Sequence, residues 1–353
     1  MKEIEHYDII LIRAGNNVIH KGMIEGYKII PFIPAGRKRT LEILFRYFQK
    51  NRNVIDEVML WQNTPYSADV DFLYETAKRD PMFKVYTLPE EYNFYYNNIK
   101  ETQTVKWGDT ERVLEPLKPG DKRSGPVQWN TGRFFEYTVD PEAIYIRFDD
   151  DIVYLEDDYF EKMVKFRIEN PEYFLVFGNI WNNAIISWIH QQEGRIGHDF
   201  GTVSEPFCMD MIGWGSGEFA EYIHELLLKG IKEGQSFDFE GGAYHPSFKY
   251  TDKAYEMDNG FRFSISNFAF FGKDFAEFGG KFTDLDEEKF LTEVYPVAND
   301  RKSVICSALC SHFTFSPFQK PHIMNNTNLL ERYGDLSKKL LSDSYYNLLN
   351  THE

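Results

Sequence analysis

The stretch IYIRFDDDIV, residues 144–153, decides the fold prediction because it joins an apolar strand to an acidic run. Side chains alternate between the two faces of a strand, so Ile144, Ile146 and Phe148 would share one face and point into a core. Arg147, Asp149 and Asp151 would then share the opposite face if the chain stays extended. Ligands of open α/β sheets bind beyond the carboxyl ends of strands. The stretch therefore predicts a ligand site directly after a core strand.

Asp149 and Asp151 are the candidate ligands of a divalent cation. Two residues apart on one face, their backbones would be roughly 6.5–7 Å apart. Their carboxylates would repel each other at neutral pH unless a cation or a basic group compensates. Hard oxygen ligands favour Mg²⁺ or Mn²⁺, with water and substrate phosphates in the remaining positions. A solvated acidic turn is the alternative interpretation, and the flanking core strand favours the metal site.

The first two thirds of the chain alternate short apolar runs with helical patterns, which is typical of an α/β fold. Strands are predicted over residues 28–33, 57–62, 83–88, 143–148, 173–177, 264–271 and 304–315. Residues 89–126 are predicted to form a surface excursion, followed by a helix over 128–137. The periodicity breaks over residues 181–262, apart from a helix that Ser216 opens, so this segment is predicted to form an inserted lobe. A short amphipathic helix is predicted around residues 336–349.

Composition narrows the classes of partner. The formal charge of −16 argues against a general nucleic-acid binder, which needs Lys and Arg to neutralise phosphates. Three cysteines without a framework spacing indicate a reducing compartment. No stretch reaches the ~18 apolar residues of a membrane span. We therefore expect a cytoplasmic protein without a transmembrane segment, for which peripheral membrane contact stays open.

Residues 144–153 resemble GT-A glycosyltransferases, whose pattern is an aliphatic strand, Asp-x-Asp and Ile-Val. The segment NFAFFGKDF at 267–275, followed by Gly279-Gly280 and the acidic cluster at 284–288, is a second match, and SHFTF at 311–315 is a third. Together the matches span roughly residues 28–319. The resemblance implies one GT-A-like (Rossmann-like) α/β domain over residues 1–320, with a mixed central sheet flanked by helices. The nucleotide-sugar half would be 28–180, the acceptor half 181–320 with the insertion at 181–262, and the helical tail 321–353.

The resemblance also implies a nucleotide-sugar donor, with a UDP-sugar favoured. Asp149 would contact this donor, and Asp151 would ligate Mn²⁺ or Mg²⁺. His312 would be a third metal ligand, although a lone histidine between aromatic residues is more often a core residue. The residues assigned to the donor are Pro34, Ala35, Gly36, Arg37, Asn130, Arg133, Asp149 and Asp150. In an extended chain Asp150 would point away from its two neighbours and could be structural.

Transfer with inversion needs a base that deprotonates the acceptor hydroxyl. Asp286 and Glu287 lie where inverting GT-A enzymes carry this base. The alternative interpretation is that both are acidic residues at a helix N-terminus, where the helix dipole favours negative charge. Trp181 and Trp214 are the candidate rings for stacking on an acceptor sugar, against the default of core packing.

The predicted function is the metal-assisted transfer of a hexose-type unit from a nucleotide sugar to a glycan or other hydroxyl acceptor, free or linked to a lipid or protein. Inversion is slightly favoured. One alternative is a Mg²⁺-dependent nucleotidyltransferase, which would be expected to carry a Gly- and Lys-rich loop after the first strand, where Gly36 is the only glycine. The other is a non-catalytic glycan-binding or assembly protein that keeps the fold.

Overall fold

A computed structural model describes residues 10–14, 17–21, 24, 26–64, 66–88, 101–107, 110–114, 131–282 and 286–340. The described strands, in chain order, are β1 Ile10–Ala14, β2 Asn17–Lys21, β3 Lys28–Ala35, β4 Val58–Gln62, β5 Phe83–Tyr86, β6 Gln103–Trp107, β7 Thr110–Leu114, β8 Ala143–Phe148, β9 Ile152–Leu155, β10 Val176–Trp181, β11 Phe248–Thr251, β12 Ala254–Met257, β13 Asn267–Phe271 and β14 Ser303–His312. The main sheet has the order β11-β12-β14-β10-β13-β8-β3-β4-β5, and β9 pairs with β14 beside it.

The described helices flank this sheet. They are α1 Lys38–Lys50, α2 Ser67–Arg79, α3 Thr131–Phe134, α4 Tyr159–Glu169, α5 Ala184–Gln192, α6 Gly217–Glu233, α7 Gly272–Ala276, α8 Glu287–Lys289, α9 Tyr295–Ala298, α10 Gln319–Asn326 and α11 Leu329–Lys338. A 3₁₀ turn, Phe135–Tyr137, extends α3, and a π-helical segment, Phe290–Val294, joins α8 to α9.

The first half of the sheet is parallel. Strand β3 pairs in parallel with β4 and β8, and β4 with β5. All eight residues of β3 except Lys28 are buried, which is typical of a parallel strand covered on both faces. Across the sheet, these parallel strands lie in the order β5-β4-β3-β8. Numbered by their order in the chain, this is 3-2-1-4, as in one half of a doubly wound Rossmann-type sheet. The predicted α/β class, with a mixed central sheet flanked by helices, is confirmed.

The second half makes the sheet mixed. Strand β13 runs antiparallel between β8 and β10, and β14 runs parallel to β10. Residues 181–262 were predicted to form a lobe beside the sheet. They supply α5 and α6 and also the hairpin β11–β12, which extends the sheet along β14. Strand pairing therefore ties part of this segment to the core, while the predicted domain boundaries stay predictions.

Helix α1 covers the parallel half of the sheet with its apolar face. The apolar residues at helical spacing are all buried, namely Leu41, Leu44, Phe45 and Phe48. The Phe48 ring meets Phe148 of β8 edge-on, with ring centroids 5.2 Å apart. Complete burial of one such side chain stabilises the fold by roughly 1.5–3 kcal/mol. This packing fixes α1, and with it the turn between β3 and α1.

Two predicted helices lie only partly within the described residues. The helix predicted over 128–137 is α only over α3 and continues as the 3₁₀ turn, while residues 128–130 lie outside the described part. The tail forms α10 and α11, and Leu329 and Tyr333 of α11 are buried in the core. Residues 341–349 of the helix predicted around 336–349 lie outside the described part of the chain. The three cysteines are free and buried. No helix in the described ranges is long and apolar enough to cross a membrane.

Candidate functional site

The candidate site lies at the carboxyl ends of β3 and β8, which are neighbours in the sheet. The chain leaves β3 towards β4 on one side, and it continues from β8 towards β9 and the other half of the sheet. Such a switch in direction leaves a crevice beyond the strand ends, where ligands of α/β sheets bind.

The acidic run at this edge forms a turn instead of the extended chain that the face argument assumed. The Asp149 N–H donates to Ser266 O over 2.8 Å, and the Ile152 N–H donates to Asp149 O over 3.3 Å, which closes the turn. Asp149 and Asp151 converge because the chain bends between them. Strand β9 then leads back to β14, where Ile152 lies opposite His312.

Asp149, Asp151 and His312 form a carboxylate–histidine group. One possible ligand atom from each lies within 4.8 Å of the other two. His312 Nε2 is 2.9 Å from Asp151 Oδ1 and 3.7 Å from Asp149 Oδ2. The Thr314 hydroxyl donates to Asp151 Oδ2 over 2.9 Å and orients that carboxylate. Two carboxylates and one imidazole are a donor set that fits a divalent metal ion.

The turn after β3 closes the site on the other side. The Gly36 N–H donates to Asp150 Oδ2 over 2.8 Å, so Asp150 binds the turn while its neighbours form the carboxylate–histidine group. Arg37 Nε is 3.3 Å from Asp150 Oδ1, and Arg37 Nη1 is paired with Asp151 Oδ2. Pro34 and Ala35, predicted as loop residues, are still buried members of β3. Gly36 and Arg37 alone therefore present this turn to the crevice.

The charges of the group are strongly coupled. Burial raises the pKa of Asp150; Arg37 opposes the rise and the other two aspartates add to it. Burial also acts against the charged form of Asp151, but Arg37 and His312 hold its pKa below the usual range. Burial would lower the pKa of His312, and the Asp151 carboxylate raises it instead. A metal ion bound here would compete with a proton for His312, because a ligating imidazole must be neutral.

Gly36→Ala is expected to distort the turn. An added Cβ would lie 2.7 Å from Asn63 O and 3.4 Å from the Asp150 carboxylate, and the first distance is too short for any Cβ contact. Overpacking of this kind costs about 1–3 kcal/mol in free energy of unfolding, which chemical denaturation would measure. Because Asp150 loses its position, ligands that bind at the turn should also bind more weakly.

Gly334→Ala is the matched control. Its nearest neighbour would be Ile43 Cδ1 at 4.0 Å, and the residue lies inside α11. Alanine there should stabilise the helix by up to about 1 kcal/mol. Equal effects of the two substitutions would contradict the tight approach at Gly36.

Arg147 links the acidic run to the candidate base, a connection that the sequence argument missed. Its Nη1 donates to Asp149 Oδ1 over 2.7 Å, and its Nη2 to Glu287 Oε1 over 3.2 Å. The side chain of Arg147 is 6% exposed, so it is a buried cation between two carboxylates. Burial raises the pKa of Glu287, and Arg147 and Thr131 partly offset this rise. The sequence signal that could have indicated this link was a basic residue within an otherwise apolar strand.

Asp286, the other candidate base, has structural partners. Its Oδ1 accepts from the Lys289 N–H over 3.0 Å, which caps α8, and its Oδ2 accepts from Arg262 over 2.8 Å. The geometry favours the helix-cap interpretation for Asp286, while Glu287 faces Arg147. Their catalytic roles stay predictions.

The other predicted residues are dispersed. Trp181 is 1% exposed, and its indole N–H donates to Ile223 O over 2.6 Å. A sugar cannot stack on a ring inside the core, so the structure corrects the prediction for Trp181. Trp214 is half-buried and packs edge-on against Phe318, with centroids 4.9 Å apart. Arg133 pairs with Glu136 over 2.6 Å on the surface, and Asn130 lies outside the described residues.

A buried polar network holds the end of β14, and no pattern in the sequence indicated it. Asn182 has a left-handed φ of 63°, and its side chain donates to His312 O over 3.0 Å. His224 Nε2 is 3.1 Å from Phe313 O, while His224 Nδ1 is 2.8 Å from the Tyr333 hydroxyl. These contacts fix the backbone that presents His312 to Asp151.

Fold and site together define an α/β protein with a group at its switch point that can hold a divalent metal. No protein-family model matches the chain, and no curated protein matches its sequence. Among solved structures, the chain is similar to a 4-diphosphocytidyl-2C-methyl-D-erythritol synthase from Anaerococcus prevotii. The two share 15% identity with a TM-score of 0.26 over 43% of this chain and 55% of that chain. The match spans about half of that protein, and a superposition this limited supports no inference about activity.

Proposed function

We propose that this protein is a divalent-metal-dependent transferase acting on a nucleotide-activated substrate, and that it transfers a glycosyl group to a hydroxyl acceptor. A UDP-sugar is the favoured donor, and Mn²⁺ or Mg²⁺ the favoured ion. The observation that carries the proposal is the meeting of Asp151 with His312 at 2.9 Å, across 161 residues of sequence. A late histidine joining the Asp-x-Asp carboxylates is what the GT-A resemblance implies.

The reaction forms a bond between the acceptor oxygen and the anomeric carbon of the donor sugar. The bond from that carbon to the phosphate oxygen breaks, and the nucleoside diphosphate leaves as an anion. Glu287 is the favoured acceptor of the hydroxyl proton, since its pKa is raised and its carboxylate is linked through Arg147 to Asp149. A divalent cation on the carboxylate–histidine group would supply the charge that stabilises the leaving diphosphate.

The start of α1 is suited to bind that diphosphate. The helix spans 13 residues and begins directly after Arg37, whose side chain does not cap it. The Lys38 N–H donates to Asp69 Oδ1 over 3.2 Å, so a phosphate bound at this end would displace or share that contact. Backbone N–H groups and the helix dipole at such an end attract phosphate. Arg37, Lys38 and Arg39 add positive charge to the same turn.

This basic run also supports nucleotidyl transfer as a second candidate. A nucleoside triphosphate would use the same helix end and the same metal ligands, but an acceptor oxygen would attack its α-phosphorus and pyrophosphate would leave. The two reactions therefore differ in their products: a nucleoside diphosphate from glycosyl transfer and pyrophosphate from nucleotidyl transfer.

A thermal-shift screen with product analysis tests the proposal. UDP and UDP-sugars with Mn²⁺ should raise the melting temperature, because a ligand that binds only the folded state stabilises it. Incubation with UDP-sugars should then release UDP. Pyrophosphate release from nucleoside triphosphates would favour the second candidate, and binding without either product would favour a non-catalytic protein. If no nucleotide shifts the melting temperature, with or without metal, the donor site does not exist.

A further inference from the structure

Arg37 makes direct ionic contacts with the acidic run. Its Nη1 is paired with Asp151 Oδ2, and its Nε is 3.3 Å from Asp150 Oδ1. The Thr314 hydroxyl donates to the same Asp151 Oδ2 over 2.9 Å, while Asp151 Oδ1 is 2.9 Å from His312 Nε2. An ionised carboxylate offers about two acceptor positions on each oxygen. Arg37 and Thr314 together therefore saturate Oδ2, and a metal ion bound to Asp151 beside Arg37 would have to use Oδ1.

A divalent ion and Arg37 would compete for the charge of Asp151. On the two oxygens of one carboxylate, the ion and the guanidinium would lie close together. The Asp151 side chain is 3% exposed, so water and salt screen the repulsion between the two cations poorly. The single negative charge of Asp151 offsets only part of this repulsion. Metal binding therefore favours the departure of Arg37.

Of the two arginines at the acidic run, Arg37 is the one that can leave. The Arg147 side chain is 6% exposed and donates to both Asp149 Oδ1 and Ile265 O, which hold it in the core. The Arg37 side chain is 43% exposed. Its backbone is held separately, because Arg37 O accepts from the Leu41 N–H over 3.0 Å. Rotation about side-chain bonds alone would release the Arg37 guanidinium from Asp151.

A released Arg37 side chain stays beside the proposed diphosphate site. The residue directly precedes α1, and the N–H groups and the dipole at the start of a helix attract phosphate. A planar guanidinium can donate two parallel hydrogen bonds to a phosphate, as it does to a carboxylate. A nucleoside diphosphate that binds together with the metal ion would thus give Arg37 a new anionic partner in place of Asp151.

We propose that Arg37 is a displaceable counterion, which competes with the divalent metal ion for Asp151 and is released by that ion to bind the diphosphate of the donor. This inference rests on the proposed transferase function and adds to it a reason for metal and donor to bind cooperatively. By linkage, each ligand would raise the affinity for the other by the same factor.

Mn²⁺ binding to the full-length protein without nucleotide, measured by electron paramagnetic resonance at fixed pH and ionic strength, tests the competition. Arg37→Gln should bind Mn²⁺ about tenfold more tightly than the wild type, because the competing charge is gone. Arg37→Lys keeps the charge but loses the planar fork, so its affinity for Mn²⁺ should lie between the two. A purely structural role of Arg37 predicts the opposite direction, a weaker metal site in Arg37→Gln.

UDP binding in saturating Mn²⁺ tests where the released side chain goes. Arg37→Gln should bind UDP about tenfold more weakly than the wild type, because the bidentate phosphate contact is lost. The factor by which UDP tightens Mn²⁺ binding should shrink with it. Lys50→Gln is the matched control: it removes the same charge at the other end of α1, where Lys50 pairs with Asp157, and should change neither affinity.

An Arg37→Gln protein that binds Mn²⁺ no more tightly than the wild type would overturn the proposal, since Arg37 would then hold the carboxylates in place for the ion. If UDP with Mn²⁺ still stabilises the wild type in that case, the transferase proposal stands without the exchange. Tighter Mn²⁺ binding by Arg37→Gln, with no effect of UDP on either protein, would support the competition for Asp151 and count against the transferase.

Discussion

Asp151→Asn is expected to lower metal-dependent turnover roughly a thousandfold, equivalent to about 4 kcal/mol of transition-state stabilisation. Asp151 contacts His312, Thr314 and Arg37 together. The amide has almost the same shape as the carboxylate but no charge, so it should fail to hold the cation. Product release measures turnover, and electron paramagnetic resonance of Mn²⁺ measures metal binding directly.

The fold must survive for this result to be informative. Because the pKa of Asp151 is held low in the folded state, its carboxylate contributes stability above its unfolded pKa, and this contribution is lost as pH falls. Asp151→Asn should therefore lower the melting temperature near neutral pH and have less effect in acid. Asp157→Asn, at a surface carboxylate that is 84% exposed, is the matched control and should change neither quantity. Full Mn²⁺ binding by Asp151→Asn would exclude this residue from the metal group.

Glu287→Gln is expected to slow glycosyl transfer about 10²–10⁴-fold, the usual contribution of a positioned general base. Metal binding and the thermal shift with UDP should be unchanged, because Glu287 contacts neither Asp151 nor the turn after β3. The transfer rate of the wild type should fall as the pH is lowered. Burial raises the pKa of Glu287 above its ordinary value, so the base is lost to protonation earlier than an exposed glutamate would be.

Asp286→Asn distinguishes the two candidate bases. Both oxygens of Asp286 are engaged, one by the cap of α8 and one by Arg262, so the substitution should cost stability of about 1 kcal/mol or less and leave transfer intact. If Asp286→Asn abolishes transfer while Glu287→Gln keeps the wild-type rate, the base is Asp286 and the link through Arg147 is structural.

Local patterns in the sequence predicted the parallel half of the fold well. The apolar runs of β3, β4 and β8 are buried on both faces, whereas the edge strand β5 fully buries only Phe83. Helix α1 buries the apolar residues that recur at helical spacing. These patterns indicate which side of an element is buried, and each pattern can be recognised within that element alone. They could not predict that the hairpin β11–β12 continues the main sheet, since pairing between edges that are distant in sequence leaves no local period.

The candidate site was likewise predicted in part from local patterns and decided in part by contacts distant in sequence. The carboxylates at the end of β8 follow from the position of the acidic run after a core strand, and the resemblance to GT-A enzymes pointed to His312. The argument from an extended chain failed in its geometry, because the hydrogen bond from Ile152 to Asp149 bends the run into a turn. Asp149 and Asp151 still lie close together, but the turn brings them together, and the alternation of side chains along a strand does not.

The sequence by itself therefore determined the class of fold, the strand end that carries the acidic run and the residue types able to bind a metal ion. Only the tertiary structure decided that Arg147 joins Asp149 to Glu287, that Asp150 binds the turn at Gly36, and that Trp181 belongs to the core. These contacts depend on distances between atoms far apart in the chain. They are fixed by strand pairing and packing across the sheet, whereas burial and charge can be inferred residue by residue.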